Sequence, residues 1–294
     1  MFSLIIPVFN EETAIEQTVR TACETLRDAG EAFEILVVDD GSTDGTAAVL
    51  AAMNIPEVTV YAHARNTGYG ASIKTGIRRS QGDILGIVDA DGTYPIRQFP
   101  VLLRIMHERT ADMVVGARTN KGVQIPLVRR PAKWIVNMLA NMLTGMRIPD
   151  VNSGMRIFTR EFVVRFLHIC PQKFSFTITT TLAALTNDYL VEFVPIDYLK
   201  RQGKSTLSSG MNGIKNFIGF LGLIIRITTY FRPLRFFLIP SVFLIVFGAA
   251  VVAYTLWTEQ NVSDSGMLML LTGFQIGLFG MLAEVVVRYR STEQ

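Results

Sequence analysis

The sequence predicts an α/β protein: a mainly parallel sheet covered by helices on both faces, followed by a membrane hairpin. Three observations predict it. From residue 3 to about 118, short apolar runs alternate with helix-length amphipathic runs, the signature of such a sheet. Polar clusters recur just beyond the apolar runs, where open parallel sheets place their ligands. Near the C terminus, 234–257 and 266–287 each reach the roughly 20 apolar residues that span a bilayer.

The expected strands are SLIIPVF (3–9), EILVVDD (34–40), VTVYAHA (58–64), ILGIVDA (84–90) and DMVVGAR (112–118), with helices at 12–29, 44–53, 70–80 and 96–109. Beyond 118 the alternation weakens. Residues 119–131 read as a loop, 132–145 as a helix, and 150–159 as a turn with a short strand. Helices follow at 160–168 and 175–187, and VEFVPIDYL (191–199) reads as a strand. Three segments result: 1–210, an amphipathic interfacial stretch at 211–231, and the hairpin at 232–290.

Composition excludes some classes. The 294 residues are 49% apolar with a net charge of +3, which does not suit a nucleic-acid binder. Cys23 and Cys170 stand far apart without a Cys or His at metal spacing, and read as reduced core thiols. Residues 3–9 lack a basic region before them and read as a first strand rather than a signal peptide. Arg226, Arg232 and Arg235 precede the first span, and Arg288 and Arg290 follow the second. The short connection carries Glu259 and Asp264 and no Lys or Arg, so both termini are expected in the cytoplasm. Glu284, near the inner end of the second span, is either a functional carboxylate or a partner of Arg288. GFQIGLFG (273–280) places small residues on a span face, suited to helix packing and so to a homo-oligomer.

GIVDADGTYP (86–95) poses the chemical question. Asp89 and Asp91 suit a phosphatase whose first aspartate attacks phosphorus, or a transferase whose acids hold a divalent metal against a diphosphate. A phosphatase motif of this kind opens its fold and needs a later acidic cluster. Here three strand–helix units precede the acids, and the acids from 160 to 200 are isolated. The metal-holding alternative is preferred. Asp91 is the first choice of ligand and Asp89 the second, because spacing i, i+2 at a strand end turns both toward one ion.

IIPVFNEE (5–12), VVDDGSTDGT (37–46), NTGYGASIKTGI (66–77), VDADGTYP (88–95), DMVVGAR (112–118) and VNSGMRIF (151–158) stand in the order and spacing of family 2 glycosyltransferases. The chain resembles their polyprenyl-phosphate branch, similar to dolichyl-phosphate mannose synthase and bacterial undecaprenyl-phosphate transferases. The resemblance covers roughly residues 3–210 and extends to the paired C-terminal spans. It implies a GT-A fold (a Rossmann-like, mainly parallel sheet), Mg²⁺ or Mn²⁺, and inverting transfer of a hexose-type sugar from a nucleoside diphosphate to polyprenyl phosphate. A processive polysaccharide synthase of the same fold, or an inactive membrane scaffold, is the alternative.

On this resemblance Pro7, Phe9, Glu11, Asp39 and Asp40 hold base and ribose, with Ala90, Asp91, Arg118 and Lys204 also on the nucleotide sugar. Gly68 and Gly70 either let backbone approach the nucleotide or make the turn before a helix. Asp150 binds sugar hydroxyls or positions the acceptor, and Ser153 and Arg156 shape its turn. A family Gln is replaced by Thr93. KRQGKSTLS (200–208) departs from the family's R-x-x-G-x-S-K, with Lys200 for the Arg and Thr206 for the Lys. A lipid phosphate is already ionised, so it needs positive charge rather than a strong base. Residues 117–133 carry Arg118, Lys121, Arg129, Arg130 and Lys133 and no acid. Arg129, Arg130 and Lys133 either clamp that phosphate or form a solvated loop drawn to anionic lipid. The expected partners are the nucleotide sugar, the polyprenyl phosphate and a lipid bilayer, with no nucleic acid. The expected location is the inner (plasma) membrane, with the catalytic domain on its cytoplasmic side.

Overall fold

A computed structural model describes residues 1–120, 138, 141, 145–173, 175–199, 222 and 233–292. The chain divides into two compact units, Met1–Phe220 and Leu221–Gln294.

In the first unit the strands are β1 (Phe2–Val8), β2 (Phe33–Asp39), β3 (Val58–Ala62), β4 (Ile84–Ile87), β5 (Met113–Ala117), β6 (Arg156–Thr159) and β7 (Val191–Pro195). Between them lie α1 (Ile15–Asp28), α2 (Thr46–Ala52), α3 (Tyr69–Arg79), α4 (Phe99–Arg109), α5 (Arg160–Phe166) and α6 (Phe176–Thr186). They form one sheet in the order β3-β2-β1-β4-β6-β5-β7. β1 pairs in parallel with β2 and β4, as do β2 with β3 and β5 with β7. β6 alone is antiparallel, wedged between β4 and β5. The expected short strand at 150–159 is therefore an interior strand of the sheet.

Helices cover the interior strands, which is why they read as unbroken apolar runs: every residue of β1 and β5 is buried. On α1, Ile15, Val19, Ala22, Cys23 and Leu26 recur at helical spacing and join Leu4, Ile6 and Val8 in the core. α6 is buried from Phe176 to Leu185 despite its threonines. Their hydroxyls are bonded: Thr179 donates to the Ser175 carbonyl at 2.9 Å, Thr181 to the Thr177 carbonyl at 2.9 Å, and Thr177 to Asn152 Oδ1 at 2.6 Å.

Several boundaries differ from expectation. α1 begins at Ile15 rather than residue 12; ahead of it Glu11 N donates to Thr46 Oγ1 at 3.0 Å and Glu12 N to Asp44 Oδ2 at 3.4 Å. β4 stops at Ile87, which leaves Asp89 and Asp91 in the turn after it. β7 stops at Pro195, and the expected helix at 132–145 lies almost wholly outside the described residues. So do the interfacial stretch at 211–231 apart from residue 222, and Lys204, Arg129, Arg130 and Lys133.

Among the described residues the second unit holds α7 (Pro233–Glu259) and α8 (Asp264–Thr292). By length and composition Pro233–Glu259 and Asp264–Val287 can each cross a membrane, and most of their side chains are not covered by protein. The small residues lie between the two helices. Ser241 Oγ donates to the Gly273 carbonyl at 2.8 Å, and a Cβ at Gly248 would stand 2.9 Å from the Gly266 carbonyl. Gly273 and Gly280 face Ile245 and Phe237 of α7. The stripe offered by GFQIGLFG thus serves packing inside the hairpin. Glu284 Oε2 accepts from the Leu234 amide at 3.4 Å, which sets a carboxylate at the positive end of α7.

Candidate active site

The carboxyl ends of β1, β2 and β4, and the loop before β6, converge on one region of the first unit. The first two are knitted together. Asn10, held at φ 56°, donates from its backbone to Ser42 Oγ at 3.0 Å, and its Oδ1 accepts from Thr43 N at 2.8 Å. Asp44 Oδ1 accepts from the Thr46 amide at 3.0 Å, at the start of α2, while Glu12 Oε2 accepts from Gly45 N at 2.7 Å. The Ser42 hydroxyl donates to Asp39 Oδ1 at 2.6 Å.

The adjacent aspartates at the end of β2, Asp39 and Asp40, diverge in role because successive side chains alternate in direction. Asp39 lies beside its own turn, with Oδ1 taken by Ser42. Asp40 points to the loop before α3. Its Oδ1 accepts from His63 Nδ1 at 2.7 Å, Thr67 N at 2.9 Å and Thr67 Oγ1 at 2.7 Å, and its Oδ2 from Gly68 N at 2.7 Å. With His63 donating from Nδ1, its Nε2 accepts from Thr75 Oγ1 at 2.9 Å. Burial works to raise the Asp40 carboxyl, but the bonds from His63, Thr67 and Gly68 outweigh it and hold the group below its ordinary value.

Gly68 and Gly70 have no room for a side chain. Gly68 sits at φ 110°, and a Cβ there would stand 2.8 Å from the Gln172 carbonyl. At Gly70 a Cβ would collide with the Pro171 and Lys173 carbonyls. The close backbone approach thus serves residues 171–173: Ala71 N donates to the Gln172 carbonyl at 2.7 Å and Gly70 N to Lys173 at 3.2 Å.

After β4 the chain turns through Gly92 at φ 69°. Ala90 is buried, and its carbonyl accepts from Thr18 Oγ1 of α1 at 3.0 Å. Asp91 is 8% exposed, and its Oδ1 accepts from Thr93 Oγ1 at 2.6 Å and Thr93 N at 3.2 Å. Asp89 Oδ1 accepts from the Tyr69 hydroxyl at 2.9 Å. Gly154 backs onto the same carboxylate, since a Cβ on it would stand 2.7 Å from Asp89 Oδ2. Tyr94 Oη accepts from the Gly154 amide at 2.7 Å, so the wall behind Asp89 is itself pinned.

Arg118, just past β5, meets Asp150. Its Nε donates to Oδ2 at 2.7 Å and its Nη2 to Oδ1 at 3.0 Å, the side-on bidentate form, with Nη2 also on the Asn152 carbonyl at 3.0 Å. Burial works to lower the Arg118 pKa, but the hydrogen bonds and charge of Asp150 more than reverse it, so the guanidinium stays charged. Its Cζ lies 5.2 Å from the centre of the Tyr198 ring, which packs edge-on against Tyr94. Arg156 is fully buried. It donates to the Ser153 and Thr177 carbonyls and to Thr180 Oγ1 and Thr181 Oγ1. Burial pushes it down to about 10, still charged at neutral pH. Ser153 donates to the Gly116 carbonyl, so this loop is fastened to β5 on one side and α6 on the other.

The structure therefore gathers Asp89, Asp91, Arg118 and Asp150 with Tyr69, Tyr94, Thr93 and Tyr198. Pro7 is buried within β1 and Phe9 half-buried just past its end, with Glu11 beside the β2 turn through Thr46. Of the partners, Thr93 was noted in the sequence only as a departure from a family Gln, and the three tyrosines went unmarked. Tyr94 and Thr93 directly follow the aspartates, whereas nothing local ties Tyr69 or Tyr198 to them. Among the described residues no group of three or more His, Cys, Asp or Glu stands ready for a metal. Two carboxylates on one turn nevertheless fit Mg²⁺ or Mn²⁺, hard ions that take one or two protein carboxylates and complete their shell from phosphate and water.

Residues 3–166 match the glycosyl transferase family 2 domain. The chain belongs to glycosyl transferase family 2. Residues 232–288 match the GtrB C-terminal hairpin. Among curated members, an undecaprenyl-phosphate 4-deoxy-4-formamido-L-arabinose transferase of Pectobacterium carotovorum is 27% identical over 97% of this chain and 88% of its own. The low-salt glycan biosynthesis hexosyltransferase Agl6 of Haloferax volcanii is also 27% identical, over 96% of this chain and 68% of its own. A Yersinia pestis transferase of the first kind is 30% identical over 64% of this chain, a match that spans 58% of that relative. Among solved structures, glucosyl-3-phosphoglycerate synthase of Mycobacterium tuberculosis, in complex with Mn²⁺, UDP and phosphoglyceric acid, aligns with a TM-score of 0.58 at 15% identity, covering 78% of each chain. Mannosyl-3-phosphoglycerate synthase of Rubrobacter xylanophilus aligns with a TM-score of 0.53 at 18% identity, over 77% of this chain and 72% of that one. The sheet of this family 2 member is accordingly of the GT-A type, and the resemblance read from its motifs holds.

Proposed function

We propose that the protein transfers a hexose-type sugar, with inversion, from a nucleoside diphosphate to a polyprenyl phosphate at the cytoplasmic face of the membrane. The observation that carries this reading is the Asp89–Asp91 pair after β4, in a family 2 domain whose chain continues into two helices long enough to cross a bilayer. Curated relatives named for transfer to undecaprenyl phosphate support the choice of acceptor.

Asp91, with Asp89 beside it, would hold Mg²⁺ or Mn²⁺. When bound, such an ion neutralises the diphosphate and acts as a Lewis acid on the leaving group. Asp39, its turn held against Asn10 and Ser42, would hold the base and ribose. Asp40 contributes by holding the loop at Thr67 and Gly68 in place rather than by touching ligand. Arg118 is pre-set by Asp150 and brings fixed positive charge to the phosphates without reorganisation. The acceptor phosphate is already anionic at neutral pH, so attack in line with the anomeric carbon requires positioning more than proton removal. Arg129, Arg130, Lys133 and Lys204 are assigned to the phosphates from sequence alone.

Membranes containing the protein, given a panel of labelled sugar nucleotides, polyprenyl phosphate and Mg²⁺ or Mn²⁺, should yield a labelled lipid with at least one donor. Asp91→Ala should abolish it. Absence of labelled lipid with every donor overturns the reading.

A further inference from the structure

We propose that Thr93 and Tyr69 are positioning residues whose hydroxyls brace Asp91 and Asp89, one each, so that both carboxylates meet a divalent cation in a set orientation. This rests on the proposed role of the acid pair. An acidic side chain on a turn has rotational freedom about two bonds, and a pair that must meet one ion loses affinity unless that freedom is removed beforehand. In this protein it is removed at both positions, by partners from different parts of the fold.

Thr93 is fully buried, and both its hydroxyl and its amide aim at the same oxygen of Asp91, at 2.6 and 3.2 Å. Two donors on Oδ1 define the plane of the carboxylate as well as its direction. The Thr93 carbonyl accepts from Leu199 N at 2.9 Å, which ties the turn to the chain beyond β7. A threonine hydroxyl has one proton, and here it is committed to Asp91. The residue thus acts through the acid.

Tyr69 reaches Asp89 from the first turn of α3. Its hydroxyl donates to Oδ1 at 2.9 Å, while the Gly154 backbone closes the opposite side and is itself held by Tyr94. A local turn motif accounts for an Asp bonded two residues onward. It does not account for a tyrosine twenty residues earlier in the chain bracing the companion acid.

The test is Mn²⁺ affinity, read from the electron paramagnetic resonance signal of free Mn²⁺ with the full chain in detergent, in the presence of UDP and separately of GDP. Thr93→Val keeps the shape and removes the donor. It should weaken Mn²⁺ binding at least tenfold, since loss of an outer-shell partner typically costs about 10–100-fold. Thr93→Ser should restore affinity to near the wild-type value, and Tyr69→Phe should weaken it several-fold. Melting curves without metal separate weakened binding from unfolding. Wild-type affinity in Thr93→Val overturns the brace, as does a Thr93→Ser as weak as Thr93→Val, because packing rather than the hydroxyl would then be responsible. A wild type that binds no Mn²⁺ with either nucleotide overturns the role of the acid pair and the brace with it.

Discussion

Replacing Asp40 by Asn tests whether this carboxylate serves the fold or the ligand. The wild-type side chain accepts the Thr67 amide on one oxygen and the Gly68 amide on the other, with His63 and the Thr67 hydroxyl on the first. Asn keeps one carbonyl oxygen and turns the other position into a donor. One backbone N–H then faces an amide nitrogen. Hydrogen bonds to a charged group contribute about 1.5–3 kcal/mol each, and a stranded buried donor costs about 1–3 kcal/mol. Some repacking will recover part of this, so we work with a net loss of about 3 kcal/mol for the loop. At about 1.4 kcal/mol per decade that is roughly a hundredfold rise in the population of the opened loop. The assay is hydrogen exchange by mass spectrometry on the full chain in detergent at pH 7, following the peptide that contains Thr67 and Gly68. Exchange there should accelerate by roughly that factor while peptides from α4 stay unchanged. The pH dependence has a definite sign. The folded pKa of Asp40 lies below its ordinary 3.8, so its contribution is fully present above that value. It is lost as pH falls below 3.8 through the folded pKa, and Asp40→Asn should show no such loss. Exchange at Thr67 and Gly68 within about threefold of wild type would refute the accounting, since it corresponds to under about 0.7 kcal/mol.

Two further outcomes follow from the same region. Asp150→Ala strands the Arg118 guanidinium, whose side chain is 19% exposed, and should destabilise the first unit by about 3–5 kcal/mol in chemical denaturation. Adding Arg118→Met should recover part of that loss; a double variant less stable than Asp150→Ala alone would contradict the pairing argument. Gly70→Ala drives a methyl into the carbonyls of Pro171 and Lys173, and overpacking of this kind costs about 1–3 kcal/mol, visible as a lower melting midpoint. An unchanged midpoint would mean that the 171–173 segment yields freely.

Much of the site was legible in the chain because its signals are local. Apolar runs of strand length ended in Asn10, Asp39, Asp40, Asp89 and Arg118, and a rule about strand ends was enough to bring them to one side of a sheet. Thr93 is the instructive exception: it stood in the motif as an unexplained departure, and only its burial and its 2.6 Å bond to Asp91 give it a task. The resemblance implied ligand-facing roles for Asp40 and Asp150. Their bonds show carboxylates occupied by Gly68 and Thr67 in one case and by Arg118 in the other.

By itself the sequence determined the order of strands and helices, the turn that carries the acids and the two apolar spans, since periodicity, turn chemistry and hydrophobic length are properties of neighbouring residues. Tertiary structure alone decided that β6 enters antiparallel between β4 and β5, which sets Gly154 behind Asp89. It also decided that Gly68 and Gly70 clear space for residues 171–173, and that Tyr69 meets Asp89. Those contacts join residues 20 to more than 100 positions apart, and no local pattern encodes which distant backbone a glycine makes room for or which carboxylate a hydroxyl will reach.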